Sequence, residues 1–80
     1  MKVKVVGFRS VKFKDEKTGN EVNGKSLFVT YPGHDVEGVE AAKIFAPARI
    51  LDDSKYNPKV GDAVDLVFNQ KGRLVGVVQL

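Results

Sequence analysis

The stretch Lys2-Val3-Lys4-Val5-Val6-Gly7-Phe8-Arg9-Ser10-Val11-Lys12-Phe13-Lys14 decides the fold. Val3, Val5, Val11 and Phe13 fall on odd positions, and Lys2, Lys4, Ser10, Lys12 and Lys14 on even ones. Strict alternation is the period of a strand with one face buried. Gly7 interrupts it, and a glycine inside a strand pattern marks a bulge or a sharp bend. A long first strand bent at a glycine suits a small barrel, whose closure needs that strand to pair on both sides.

Outward from this strand, Asp15 to Gly24 is charged and holds two glycines beside asparagines, which predicts a long hairpin loop. Lys25 to Tyr31 reads as the second strand. Leu27, Val29 and Tyr31 lie on one face and Ser26, Phe28 and Thr30 on the other, and Pro32-Gly33 ends it. His34 to Glu40 carries three acids and a glycine and reads as an exposed connection. Ala41 to Phe45 is read as a short third strand, although its alanines also suit a helix that Pro47 would cut short. One helical turn fits between Ala48 and Tyr56, before Asn57-Pro58 disfavours continuation. Val60-Gly61-Asp62 is a turn, Ala63 to Phe68 alternates as a fourth strand, and Asn69 to Gly72 makes a hairpin into a fifth, Arg73 to Leu80. That last strand is apolar on both faces, which predicts burial on both sides, one of them by another subunit.

Eighty residues make one domain. A chain this short buries only about 60 to 65% of its unfolded surface, so its core is small and oligomerisation is an expected source of stability. Cysteine is absent, which excludes disulfides and the common cysteine zinc sites, so no metal or cofactor is expected. No apolar run reaches the roughly 18 residues that span a membrane, and no secretory leader pattern opens the chain. These features predict a cytoplasmic protein with no membrane partner.

The net charge is only +3, but it is unevenly placed. The first fourteen residues hold five basic side chains and no acid; residues 1 to 31 hold seven against three, and the remainder six against seven. A local basic field of this kind attracts polyanions, or keeps an edge strand soluble. Catalysis would need a nucleophile with a base, a metal cluster or paired carboxylates in a cleft, and none is visible. His34 sits in a Pro-Gly-His-Asp turn, and the adjacent Asp52 and Asp53 point apart on an extended segment. The expectation is a non-enzymatic protein with no small-molecule substrate.

Binding a single nucleic-acid strand needs cations along a phosphate track and flat rings on which bases stack. If the alternation runs unbroken, Lys2, Lys4, Lys12 and Lys14 share one face with Phe8, and Phe28 stands on the polar face of the second strand. A bulge at Gly7 would instead turn Phe8 inward and Arg9 outward. Tyr31 reads as a core residue with its hydroxyl at the rim, Tyr56 as a loop stacker or a lid, and Phe13, Phe45 and Phe68 as core. Five strands, a bent first strand, a charged first loop and a compact connection before the fourth strand describe an all-β, five-stranded OB-like barrel; an SH3-like barrel also fits the strand count.

The basic first strand, Asn23-Gly24-Lys25-Ser26-Leu27, and Gly61-Asp62-Ala63-Val64-Asp65-Leu66 followed by Gly72-Arg73-Leu74-Val75 resemble the small single-stranded-DNA-binding proteins of filamentous phages and mobile elements. The resemblance is one of layout over most of the chain, with no diagnostic motif and with few tyrosines. It implies an OB-fold homodimer that coats single-stranded DNA in replication, with RNA as the alternative polymer. It also implies Phe28, Tyr31 and Tyr56 as stacking residues and Lys2, Lys4, Arg9, Lys12 and Lys25 on phosphates. A protein-interaction module that recruits a partner through an edge strand or the apolar last strand is the alternative reading.

Overall fold

The computed structural model describes residues 1–80 and is all-β with one short helix. Strands β1 (Lys2–Lys14), β2 (Glu21–Pro32), β3 (Val39–Pro47), β4 (Ala63–Phe68) and β5 (Leu74–Gln79) form one antiparallel sheet in the order β3-β2-β1-β4-β5; helix α1 (Ala48–Asp53) lies between β3 and β4. No ladder joins β3 to β5, so the sheet is open. No helix is long and apolar enough to cross a membrane.

The long first strand exists and bends where its glycine stands. Val5 pairs with Val29 and Gly7 with Phe28, so Val6 is the extra residue of a bulge. Before the bulge β1 pairs with both β2 and β4, Lys2 to Lys4 lying against Asp65 to Ala63. Beyond it β2 is the only strand partner, and the two run on together as an arm to Lys14 and Glu21. The expected loop from Asp15 to Gly24 is therefore shorter, because Glu21 to Gly24 belong to β2. The turn itself is closed by Asp15, whose backbone N–H donates to Asn20 O and whose carbonyl accepts from Gly19 N–H, Gly19 having a φ of 72°. The arm draws the molecule out to 44 × 25 × 25 Å.

The core is small and lies under the sheet's inner face, where Val3 and Val5 of β1, Leu27 and Val29 of β2, Val64 and Leu66 of β4 and Val77 of β5 meet Ala46, Leu51 and Tyr56. Each fully buried Leu or Val among them contributes about 1.5–3 kcal/mol. The two-sided burial expected of β5 is not found. Val77 is buried and Leu74 half-buried, whereas Val78 is exposed on the outer face with Val67 of β4, and Val75, the extra residue at a register shift, is exposed as well. Phe13 and Phe45, expected in the core, are 52% and 37% exposed, and Phe68 packs only partly against it. The bulge explains Phe13: one inserted residue reverses the face of everything after it, and the arm has no second layer to bury either face.

Helix α1 forms where one turn was expected. Ala48, Arg49 and Leu51 are good helix formers, and Ile50 and Leu51 bury its inner side. It ends in two reversed hydrogen bonds, Lys55 N–H to Asp52 O at 3.1 Å and Tyr56 N–H to Leu51 O at 3.0 Å, with Lys55 in the left-handed region at φ 51°. This C-terminal motif normally places glycine at that position. The helix packs against β2, β3 and β5, and Ser54 Oγ just beyond it accepts from Val77 N–H at 3.0 Å, closing part of the free edge of β5.

Gly24 of β2 has a spatial reason. A Cβ there would stand 2.5 Å from the carbonyl oxygen of Ala46 and 2.7 Å from the Phe45 ring. Gly24→Ala is expected to lower stability by about 1–3 kcal/mol through overpacking, read as a fall in the urea midpoint with an unchanged slope.

Candidate nucleic-acid interface

Residues paired across a ladder share a face, so the register places every candidate side chain. Across β1, β2 and β3 the outer face reads in rows: Lys4–Thr30–Ala41, Gly7–Phe28–Lys43, Arg9–Ser26–Phe45 and Val11–Gly24–Pro47. Lys2 continues it at one end, and Phe13 with Val22 at the other. Four cations stand here, Lys2, Lys4, Arg9 and Lys43, and no residue of this face on the three strands is acidic.

Two phenyl rings rest on this surface, each beside a glycine. A Cβ on Gly7 would be 3.7 Å from Phe28 Cδ2, so the Phe28 ring covers the bulge. Phe45 covers Gly24 at the distance already given. A glycine under a ring lets the ring settle against the backbone of the neighbouring strand, the arrangement called aromatic rescue in sheets. Phe28 is half-buried as a result, while Phe45 is 37% exposed, and Arg9 lies in the Phe45 row, one row beyond Phe28. These are the flat faces and fixed cations that strand binding uses.

The expected lysine row is divided. Lys2, Lys4 and Arg9 lie on the outer face, whereas Lys12, Lys14 and Lys25 lie on the inner face of the arm with Phe8. The cause is again the bulge, which breaks the alternation that would have aligned Lys2 with Lys14. Phe8 turns to the Leu27 side and remains 36% exposed, with Lys25 Nζ 5.2 Å from its ring centroid in a cation–π contact. Lys12 Nζ is 3.0 Å from Glu21 Oε1, so its charge already has a partner. This inner side of the arm borders a cleft of about 630 Å³ with Lys12, Lys25, Lys55 and Asp52 at its rim and Leu51, Tyr56 and Pro58 among its lining.

Neither tyrosine is placed to stack. Tyr31 lies on the inner face opposite Glu40 and packs against the core. Tyr56 is buried, and its hydroxyl donates to Asp62 Oδ2 at 2.8 Å. Burial, and then the hydrogen bond to and the charge of Asp62, raise its pKa well above the usual tyrosine value. The same carboxylate oxygen accepts from Lys59 N–H at 3.0 Å, so Tyr56 and Asp62 hold the α1–β4 connection against the sheet.

Lys43 and Phe45 were missed by reading the sequence for function. Their signal was present: Ala42, Ile44 and Ala46 alternate with Lys43 and Phe45, which sets the phenyl ring on the lysine side. Compared with known protein families, with curated proteins and with solved structures, the chain gave no match.

Tyr56→Phe is expected to cost about 1–2 kcal/mol, since it leaves Asp62 without that donor. Because the native tyrosine keeps its proton where the unfolded one loses it, its contribution is complete below about pH 10 and falls above it. Urea titrations at about pH 8 and pH 11 should show the gap between wild type and variant narrowing at the higher pH; an unchanged or wider gap would contradict the assignment.

Proposed function

We propose that the protein binds single-stranded DNA without strong sequence preference and without catalysis, on the outer face of β1–β2–β3. The observation that carries this reading is the acid-free surface in which Phe28 and Phe45 lie among Lys4, Arg9 and Lys43. Stacking on Phe28 and Phe45 tolerates any base, because every base has a stacking face. The cations supply the phosphate track. Lys2, Lys4, Arg9 and Lys43 are its members, Phe28 and Phe45 its stacking platforms, and Lys12, Lys14, Lys25 and Phe8 form a second, flanking surface around the arm. RNA is the alternative polymer, since nothing on this face is arranged to reject a 2′-hydroxyl.

The fold supports this reading as an OB-type barrel. The strand order and the helix between β3 and β4 fit that topology, and α1 touches both β3 and β5, so the two free edges border one helix. In OB folds the strand 2–3 face and the adjoining loops bind oligonucleotides. The homodimer belongs to the same proposal. Val67, Val75 and Val78 are 42%, 46% and 54% exposed on β4–β5, and this apolar patch, bordered by Asp65 and Lys2 in the Val78 row, is where the second copy would pack. That patch also favours the second reading, a module that recruits a protein partner; this partner would then occupy the patch in place of the second copy.

Oligo(dT) titrated at two salt concentrations tests the reading. If all four cations of the face meet phosphates, the log–log salt slope approaches about −3, at roughly −0.7 per contact. Absence of binding at about 50 mM salt would end the proposal. Phe28→Ala should weaken binding by about 1–3 kcal/mol and stability by less. Arg9→Ala should weaken binding and flatten the slope by about 0.7, whereas Lys12→Ala, on the other face and paired with Glu21, should change it much less.

A further inference from the structure

The two ends of β3 carry opposite chemistry. At its C-terminal end a cleft of about 480 Å³ opens between β3, α1 and the β4–β5 hairpin. Lys43, Arg49 and Arg73 line it together with Phe45, Phe68 and aliphatic side chains, and no acid lines it. At the N-terminal end the β2–β3 connection reads Asp35-Val36-Glu37-Gly38-Val39-Glu40, acids and apolar residues in turn. Asp35 and Glu37 are exposed, as are Val36 at 41% and Val39 at 58%; Glu40 folds against Gly33. Asp35 and Gly38 both take left-handed backbone conformations, φ 59° and 93°, which gives the connection a defined shape.

We infer that the Asp35–Val39 loop of one copy docks in the Lys43–Arg49–Arg73 cleft of a second copy. The β3 residues that line the cleft, Lys43 to Pro47, follow Val39 by about 13–26 Å along the extended strand at 3.3 Å per residue, and no residue of the loop lines the cleft of its own chain. A second copy set end to end can bring them together. The match is in charge, two free carboxylates against three cations, and in apolar content, Val36 and Val39 against an apolar floor. Lys43 and Phe45 also belong to the face proposed for nucleic acid, so a docked loop and a bound strand would compete for them. The contact joins two different surfaces, so it is heterologous and continues head to tail rather than closing into a pair. Its small apolar content makes each contact weak, with a strong salt dependence. The inference does not require the nucleic-acid reading.

Sedimentation of the full-length protein in the absence of nucleic acid tests it. At about 20 mM salt, the weight-average mass of the wild type should rise past that of a dimer as concentration increases to about 1 mM. Glu37→Lys and Arg73→Glu should each lower the association constant at least about tenfold. The double variant, with both charges exchanged, should regain association to within about threefold of wild type. Both side chains are exposed, and a thermal melt checks that each variant is folded. A mass that levels off at monomer or dimer overturns the inference, as do single variants that associate like wild type or a double variant that does not recover. Binding of an oligo(dT) of about six nucleotides by Arg73→Glu should stay within about twofold of wild type; a fall beyond about fivefold would assign the cleft to nucleic acid and overturn it as well.

Discussion

The inserted residue at Val6–Gly7 decides which side chains of the longest strand meet solvent, ligand or core. Before it, β1 belongs to a sheet with neighbours on both sides and buries Val3 and Val5. After it, the strand has one neighbour and the opposite parity, so Arg9 takes the outer face and Phe8 the inner one. Gly7 follows the inserted residue and lies under the Phe28 ring, where a Cβ would stand 3.7 Å from Cδ2, an ordinary van der Waals contact. The shift in register, rather than a steric need for glycine, is what brings Arg9 to the outer face.

Gly24 repeats the arrangement one strand over. Phe45 sits where its side chain would be, and the close approach of Ala46 O shows that the two strands are packed too tightly there for any β-carbon. The two rings are therefore held by the sheet itself rather than by a second layer. That matters for a binding surface, because a ring already ordered in the free protein loses little conformational freedom when a base stacks on it. The cost is a core of modest size, and the Tyr56–Asp62 hydrogen bond with the Ser54 contact to β5 ties the helical connection to that core.

Much of the fold was legible because local signals agreed. Ala63 to Phe68 alternates between two strong turns and is a strand over those same residues, and Leu27 and Val29 declared the inner face of β2. The candidate site was legible only in part. Val3, Val5, Val11 and Phe13 all stand on odd positions, so the reversal at the bulge leaves no trace in the alternation; Val11 and Phe13 continue a pattern whose meaning has changed. An aromatic residue carries the same difficulty. Phe45 is large enough to belong in a core, and its alternation with Ala42, Ile44 and Ala46, confirmed by the register, is what sets it on the outer face. Tyr56 erred in the other direction: a loop tyrosine before Asn57-Pro58 gives no sequence sign of the carboxylate six residues on that draws its hydroxyl inward.

Charge follows the same division between strand and connection. The outer-face cations Lys2, Lys4, Arg9 and Lys43 stand on a face of β1–β3 free of acids, while Glu21 and Glu40 lie on the inner face, Asp35 and Glu37 in the β2–β3 loop and Asp52 and Asp53 in α1. With a net charge of only +3, long-range attraction of the whole molecule to a polyanion is weak, so the local arrangement has to do the selecting. Placing the acids at the end of β3 keeps them off the cationic face and puts them where they can meet the cations of another copy. Copies joined in that way would repeat along the direction of β3, and each would turn its Phe28–Phe45 face the same way relative to its neighbours. Because the cleft includes Lys43 and Phe45, a contact of that kind orders the binding faces and at the same time covers one end of each, leaving Lys2, Lys4, Arg9 and Phe28 open.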